Sequence, residues 1–292
     1  MEQWKRIAQH IEAVTGHVFS MERAENLPGG SINAAFMLVD TSGRHYFVKT
    51  NQADREDMFA AETEGLEELA ESHTIRVPKP VCFGSNPSQS YIVMEYLPLK
   101  ECSNQSLLGE QLASMHTVTA DCFGWRMNNT IGATHQPNAW HSDWIEFWRT
   151  QRLGYQLELA AKSGYGGQLQ VLGDKLLLNM HKLFEGRTIQ PAMLHGDLWG
   201  GNVAGLADGT PVIFDPAFYY GDREADLAMT YVFGGFTADF YAAYQNVLPL
   251  DDGFEVRKVF YNLYHIINHL NLFGGGYRGQ AVDMMERVLV EI

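Results

Sequence analysis

The strand-like apolar runs of this chain are confined to its first third, and that limits the folds open to it. Short runs bounded by Gly and Pro, with two helical stretches among them, extend to Leu97; from Ser106 onward helical spacing dominates. Residues 35–39 and 45–49, joined across Thr41-Ser42-Gly43, predict an antiparallel hairpin, and residues 81–84 and 90–97 predict further strands ended by Pro98. Between them residues 58–72 read as a helix with Phe59, Leu66 and Leu69 on its apolar side. Helices are then expected at 107–118, 144–162, 168–184, 227–240 and 254–273, with the polar, turn-rich stretch 128–138 as a surface loop. The expectation is an α+β chain of two lobes. A small N-terminal antiparallel-sheet lobe takes residues 1–97 and a larger, mainly helical C-terminal lobe takes residues 98–292.

Composition narrows the partners. There are 35 acidic against 21 basic residues, a formal charge of −14, and no Lys/Arg-rich block, which argues against a nucleic-acid partner. No run approaches the roughly 18 apolar residues that a membrane span needs. Residues 1–19 carry Trp4, Ile7, Ala8, Ile11 and Val14 at helical spacing among charges, the pattern of an amphipathic helix and not of a signal peptide. Cys82, Cys102 and Cys122 show no metal-binding spacing, so a reducing, cytoplasmic setting is expected.

The strongest local signal is His195-Gly196-Asp197-Leu198-Trp199-Gly200-Gly201-Asn202, followed by Asp215 in Val212-Ile213-Phe214-Asp215-Pro216. Phosphoryl transfer to an alcohol needs a carboxylate to take the hydroxyl proton and hard oxygen donors to hold Mg²⁺ against the phosphates of ATP. The order H-G-D-x-x-x-x-N and then D-P-A is similar to the protein-kinase catalytic loop and its later metal-binding Asp. Asp197 is therefore the expected base, Asn202 and Asp215 the expected Mg²⁺ ligands, and His195 a support that holds the loop.

The remaining candidates are weaker one by one. The turn Gly29-Gly30-Ser31 could be an ordinary turn, but with Lys49 ending a following strand it stands where a kinase keeps its phosphate lid and phosphate-binding Lys. Lys49 needs a carboxylate to fix its ammonium; Glu62 lies on the sheet-facing side of the next helix, between Phe59 and Leu66. The strand end Met94-Glu95-Tyr96-Leu97 suits an interlobe hinge, with adenine held by the backbone of Glu95 and Leu97 and backed by Met94. Asp226 is read equally as a brace for the catalytic loop and as an ordinary helix-start acid. His269, before Gly274-Gly275-Gly276-Tyr277-Arg278, is a substrate candidate set against the plainer reading of a satisfied core histidine.

These motifs together resemble the fructosamine kinase (ketosamine-3-kinase) family, within the wider aminoglycoside phosphotransferase and choline kinase group of the protein-kinase-like superfamily. The resemblance runs through nearly the whole chain, from Pro28-Gly29-Gly30-Ser31-Ile32-Asn33 to Asn271-Leu272-Phe273-Gly274-Gly275-Gly276-Tyr277-Arg278. Leu198-Trp199 after H-G-D is its most specific part. It implies a bilobal kinase-like fold and ATP-dependent phosphorylation of the sugar 3-hydroxyl of ketosamines, whether small molecules or glycated protein lysines, leading to deglycation. It also implies Asp197 as base, Asn202 and Asp215 on metal, Lys49 with Glu62 on the phosphates, and Trp199 as a platform for the sugar. Where some relatives carry a Cys in the glycine-rich loop, this chain has Ser31. Two other readings compete: phosphorylation of another hydroxylated amine such as an aminoglycoside or choline-like compound, and a nucleotide-binding module without turnover.

Overall fold

The computed structural model describes residues 2–28 and 32–292. In chain order the first elements are α1 (Glu2–Thr15), β1 (Met21–Leu27), β2 (Ala34–Asp40), β3 (His45–Asn51), α2 (Glu56–Glu71), β4 (Pro80–Asn86) and β5 (Gln89–Glu95). There follow α3 (Gln105–His116), β6 (Asn129–Ile131), β7 (Thr134–Gln136), α4 (Trp144–Phe147), α5 (Gly154–Lys162), α6 (Gln168–Asn179) and β8 (Ala192–Leu194). The last are β9 (Val203–Gly205), β10 (Pro211–Ile213), β11 (Tyr219–Gly221), α7 (Glu224–Thr230), α8 (Ala238–Val247), α9 (Phe254–Phe273) and α10 (Arg278–Val290). They form two units, Met1–Asn104 with Val203–Pro216, and Gln105–Asn202 with Ala217–Ile292.

In the first unit, five antiparallel strands lie in the order β1-β2-β3-β5-β4. Side-chain alternation splits the sheet into two faces. On one, Leu38, Val48, Tyr91 and Val93 pack against Trp4, Ile7 and Ile11 of α1. Each such side chain stabilises the fold by about 1.5–3 kcal/mol relative to its exposed state. On the other, Lys49 stands directly opposite Ile92 and Phe47 opposite Met94, and α2 packs over β4 and β5. The edge strand β1 was not expected. Its sequence, Met21-Glu22-Arg23-Ala24-Glu25-Asn26-Leu27, is mostly charged or polar; ladder bonds to β2 hold it, with Met21 and Ala24 packed against the core.

The first unit also takes back part of the chain. Ile213 N–H donates to the Arg76 carbonyl at 3.0 Å, and Lys100 and Gly205 exchange N–H···O bonds of 2.9 and 2.8 Å. A single cut at 97/98 does not capture this return, which puts Asp215 on the same unit as Lys49.

The second unit is mainly helical, and two expectations fail there. The helix expected over 227–240 breaks into α7 and α8, because Gly234 and Gly235 adopt φ of +73° and +95°. The stretch 128–138 is no surface loop: Asn129, Gln136 and Asn138 are buried. Their amides find long-range partners, with Asn129 Nδ2 donating to the Phe218 carbonyl at 2.8 Å and Gln136 Nε2 to the Ala217 carbonyl at 3.1 Å. Arg152 Nη2 donates to Asn138 Oδ1 at 2.7 Å while its guanidinium stacks 4.0 Å from the Tyr219 ring centroid. No helix among the described residues is long and apolar enough to cross a membrane.

α9, which runs over the expected residues, buries His265. Burial pulls its pKa down to about 3, helped by His269 and Arg152 and opposed by Asp226. The folded state therefore keeps His265 neutral at a pH where the unfolded chain, titrating at about 6.5, takes up a proton. Stability from this group is complete above about pH 6.5 and falls as pH drops toward the folded value, by roughly 2 kcal/mol at pH 5. Urea unfolding at pH 7.5 and pH 5 should show a shallower loss in His265→Gln than in the wild type. Parallel losses in the two proteins would assign the acid sensitivity elsewhere.

Candidate active site

On the first unit, Lys49 ends the apolar run of β3 and is buried, paired with Glu62 of α2. Its ammonium lies 2.6 Å from Glu62 Oε1 and also bonds Asp215 Oδ1. Burial by itself disfavours the charged ammonium, but the carboxylates of Asp215 and Glu62 outweigh it and the Lys49 pKa is raised. Burial pushes the Glu62 carboxyl up against the pull of Lys49, and Asp215 adds to the rise. The Glu62 side chain is 10% exposed whereas that of Asp215 is 44% exposed, so the two carboxylates differ in what else they can reach. Asp215 adopts φ +59°, a left-handed conformation that costs a non-glycine residue of order 1 kcal/mol and clusters at functional sites.

The strand end of β5 is pinned on the same unit. Glu95 N–H donates to the Lys79 carbonyl at 2.9 Å, and its carboxylate accepts from Lys79 N–H and Arg76 Nη2, each at 2.6 Å. Met94 is buried, and the Leu97 carbonyl accepts from Leu99 N–H at 2.8 Å. Gly29, Gly30 and Ser31 lie outside the described residues.

On the second unit, the loop from His195 to Asn202 is held by its backbone. Asp226 Oδ2 and Oδ1 accept from the N–H groups of His195 at 2.7 Å and Gly196 at 2.8 Å, so the bracing role is the one its geometry has. The carboxylate is held in turn by His116 Nε2 at 3.3 Å, and His116 Nδ1 meets the Tyr244 hydroxyl at 2.8 Å. A carboxylate only accepts, so His116 Nε2 carries the proton of that bond. Burial would raise the Asp226 pKa, but His116, His195 and the Gly196 N–H outweigh it and the carboxyl stays below its ordinary value. Gly196 cannot be replaced cheaply: at φ +83° an added Cβ would stand 2.0 Å from the Ala217 carbonyl oxygen. The His195 ring Nδ1 accepts from Asp197 N–H at 3.3 Å, which fixes the turn that presents the Asp197 carboxylate.

Asn202 Nδ2 donates to the Asp197 carbonyl at 2.9 Å and to Asp197 Oδ2 at 3.3 Å. With its nitrogen so committed, the amide keeps Oδ1, a hard oxygen donor, for a cation. Asn202 Oδ1 on the second unit and the exposed Asp215 carboxylate on the first are each a hard oxygen donor of the kind Mg²⁺ takes. No cluster of three or more His, Cys, Asp or Glu among the described residues offers a self-sufficient metal cage.

Trp199 is 37% exposed, and its ring lies over Gly201, where an added Cβ would come within 2.1 Å of it. It meets Phe233 edge-on at 5.6 Å between centroids, and Phe233 meets His269 at 5.4 Å. Trp199 and His269, seventy positions apart, are thus linked through a residue that sequence reading did not single out. The Gly234-Gly235 pair after Phe233 was its available signal, since Gly235 packs against Gly200 at a distance no Cβ would allow. Also unforeseen was the buried set beneath α7, where Glu224 takes Arg257 at 2.6 Å and Arg187 at 2.9 Å, and Arg187 reaches Asp222 at 2.9 Å.

A buried Lys between two carboxylates on the first unit, and a loop Asp with its amide neighbour on the second, are the side-chain chemistry that a phosphotransferase uses. The fructosamine kinase profile matches residues 3–291. The chain belongs to the fructosamine kinase family and is a kinase. It is 47% identical over 290 residues to a Synechocystis sp. protein assigned as a ketoamine kinase, covering 98% of this chain and 97% of that one. It is 44% identical over 278 residues to the chloroplastic protein-ribulosamine 3-kinase of Arabidopsis thaliana, covering 94% and 85%. The crystal structure of a Haemophilus somnus protein assigned as a fructosamine-3-kinase superposes with a TM-score of 0.89 at 27% identity, covering 98% and 97%. More distant phosphotransferases, at 15% identity, share the fold alone.

Proposed function

We propose that this kinase transfers the γ-phosphoryl group of ATP to the sugar 3-hydroxyl of ketosamines, the fructosamine, ribulosamine or erythrulosamine adducts of amines and protein lysines. The observation that carries the reading is the Asp197 loop itself: its backbone is clamped by Asp226 and His195, and Asn202 is bonded to Asp197. Likeness to a protein-ribulosamine 3-kinase supports the acceptor class.

Asp197 accepts the proton of the 3-hydroxyl as its oxygen bonds the γ-phosphorus, and the bond from that phosphorus to the β–γ bridging oxygen breaks to release ADP. Lys49, fixed by Glu62, orients the phosphates. Asn202 and Asp215 would hold Mg²⁺, which when bound supplies positive charge to the phosphate oxygens. Because Glu95 N–H is already bonded to Lys79, Glu95 offers adenine its carbonyl, with Leu97 beyond it and Met94 lining the pocket. The 3-phosphate product is unstable and sheds the sugar, so the outcome is deglycation. ATP consumption with ribulosyl-, erythrulosyl- and fructosyl-lysine and with aminoglycosides tests this. Turnover should be confined largely to the ketosamines; faster turnover of an aminoglycoside would overturn the acceptor class and leave the kinase chemistry.

Trp199 offers its exposed ring to the apolar face of the sugar. Trp199→Ala should raise KM for ribulosyl-lysine by a few-fold to about thirtyfold, corresponding to roughly 0.5–2 kcal/mol of lost contact, with the KM for ATP little changed. Unaltered ketosamine kinetics would make Trp199 a packing residue of its loop.

A further inference from the structure

The clamp on the Asp197 loop does not end at Asp226. Behind it, wholly within the second unit, stands a file of polar groups: His116 at the end of α3, Tyr244 on α8 and Arg223 ahead of α7. His116, Tyr244 and Asp226 are all buried. α3 and α8 meet closely around them, since a Cβ added at Gly109 of α3 would stand 2.3 Å from the Phe240 carbonyl oxygen.

Each bond in the file runs in one direction. Arg223 Nη1 only donates, so the Tyr244 oxygen accepts from it at 3.0 Å. The Asp226 carboxylate only accepts, so His116 Nε2 donates to Oδ2 at 3.3 Å. Burial pulls the His116 pKa down against the pull of Asp226, so the ring is neutral and its Nδ1 is left to accept the Tyr244 hydroxyl proton at 2.8 Å. Arg223 is fixed in turn by the Leu248 and Pro249 carbonyls, at 3.1 and 2.6 Å.

We propose that His116 is a positioning residue for phosphoryl transfer: its Nε2–H, directed by Tyr244 and Arg223, holds the Asp226 carboxylate where it clamps the His195 and Gly196 N–H groups and so aims Asp197. This role rests on Asp197 as the base and adds the residues that keep it in place. The other titratable groups near His116 and Asp226 are His195, Tyr219, Asp222 and His265. Burial keeps Tyr219 and His265 uncharged at neutral pH, Asp222 is matched by Arg187 at 2.9 Å, and His195 favours the Asp226 carboxylate. Loss of the His116 donor therefore raises the pKa of the buried Asp226. Proton uptake there turns an accepting oxygen into a hydroxyl and releases an N–H of the loop.

The test is kcat and KM for ATP with ribulosyl-lysine, followed against pH in two variants. An Asn amide reaches no further than Nδ1, so His116→Asn keeps a partner for Tyr244 and loses the bond to Asp226. A Gln amide reaches Nε2, so His116→Gln keeps that bond. His116→Asn should lose about tenfold or more in kcat with KM for ATP little changed, the effect of a misplaced catalytic group. The acid limb of its kcat profile should move up by about one pH unit, the sign expected of a carboxyl whose pKa rises. His116→Gln should return both kcat and the acid limb to near their wild-type values. Equal losses in the two variants with an unmoved acid limb would make His116 a packing residue and overturn the proposal. Should His116→Asn fold poorly, Tyr244→Phe carries the test with a smaller shift of the same sign, and an unmoved limb there overturns it equally. Asp197→Asn, measured alongside, keeps the two readings apart. Wild-type turnover in that variant overturns the base and the positioning role together, whereas a fall there with none in His116→Asn overturns the positioning role alone.

Discussion

Asp197→Asn is expected to lower turnover by about 10²–10⁴-fold, the usual effect of removing a general base, while ATP affinity stays close to that of the wild type. The amide is nearly isosteric with the carboxylate but cannot take the proton of the attacking hydroxyl. The substitution should leave the loop in place, because the bonds that shape it involve backbone groups: the His195 and Gly196 N–H groups on Asp226, the Asp197 N–H on His195, and the Asp197 carbonyl on Asn202. Steady-state turnover with a ribulosyl-lysine acceptor, measured alongside nucleotide binding, checks both halves of the expectation. Wild-type turnover in the variant would remove Asp197 from the base role, and a parallel loss of ATP binding would recast it as a residue that shapes the site.

Much of this arrangement is readable in the chain because it depends on local spacing. Lys49 alternates onto the same face as Phe47, and Glu62 lies one helical turn from both Phe59 and Leu66, so strand and helix periods alone bring ammonium and carboxylate together. The bond from Lys49 to Asp215 is not readable in this way. It joins residues 166 positions apart and depends on β10 returning to pair beside Arg76. Asn129, Gln136 and Asn138 misled for a related reason. Amide side chains in a short, turn-rich stretch look solvated until carbonyls at Ala217 and Phe218 are known to meet them. Strand β1 escaped because an edge strand needs no apolar alternation, and the α7–α8 break escaped because apolar residues continue at helical spacing through Gly234 and Gly235.

Asp215→Asn is expected to abolish most activity, by about 10² or more at Mg²⁺ levels that saturate the wild type, while leaving folding stability nearly unchanged. Asn is the informative replacement, because φ at this position is +59° and Asn tolerates the left-handed region far better than Ala. It removes the charge without adding backbone strain. Stability should survive because the Asp215 side chain is 44% exposed and Lys49 retains Glu62 at 2.6 Å. Removing Asp215 also takes away one of the influences that push the Glu62 carboxyl up, which strengthens the remaining pair. Glu62→Gln should behave in the opposite sense, costing more stability, since it breaks the buried member of the set. Activity titrated against Mg²⁺ separates a metal ligand from a mere Lys49 partner. A ligand's loss moves the curve to higher Mg²⁺, so Asp215→Asn should recover part of its activity there and Asn202→Ala should show a smaller shift of the same sign. Curves that superimpose on the wild type after scaling would leave Asp215 as a partner of Lys49 alone.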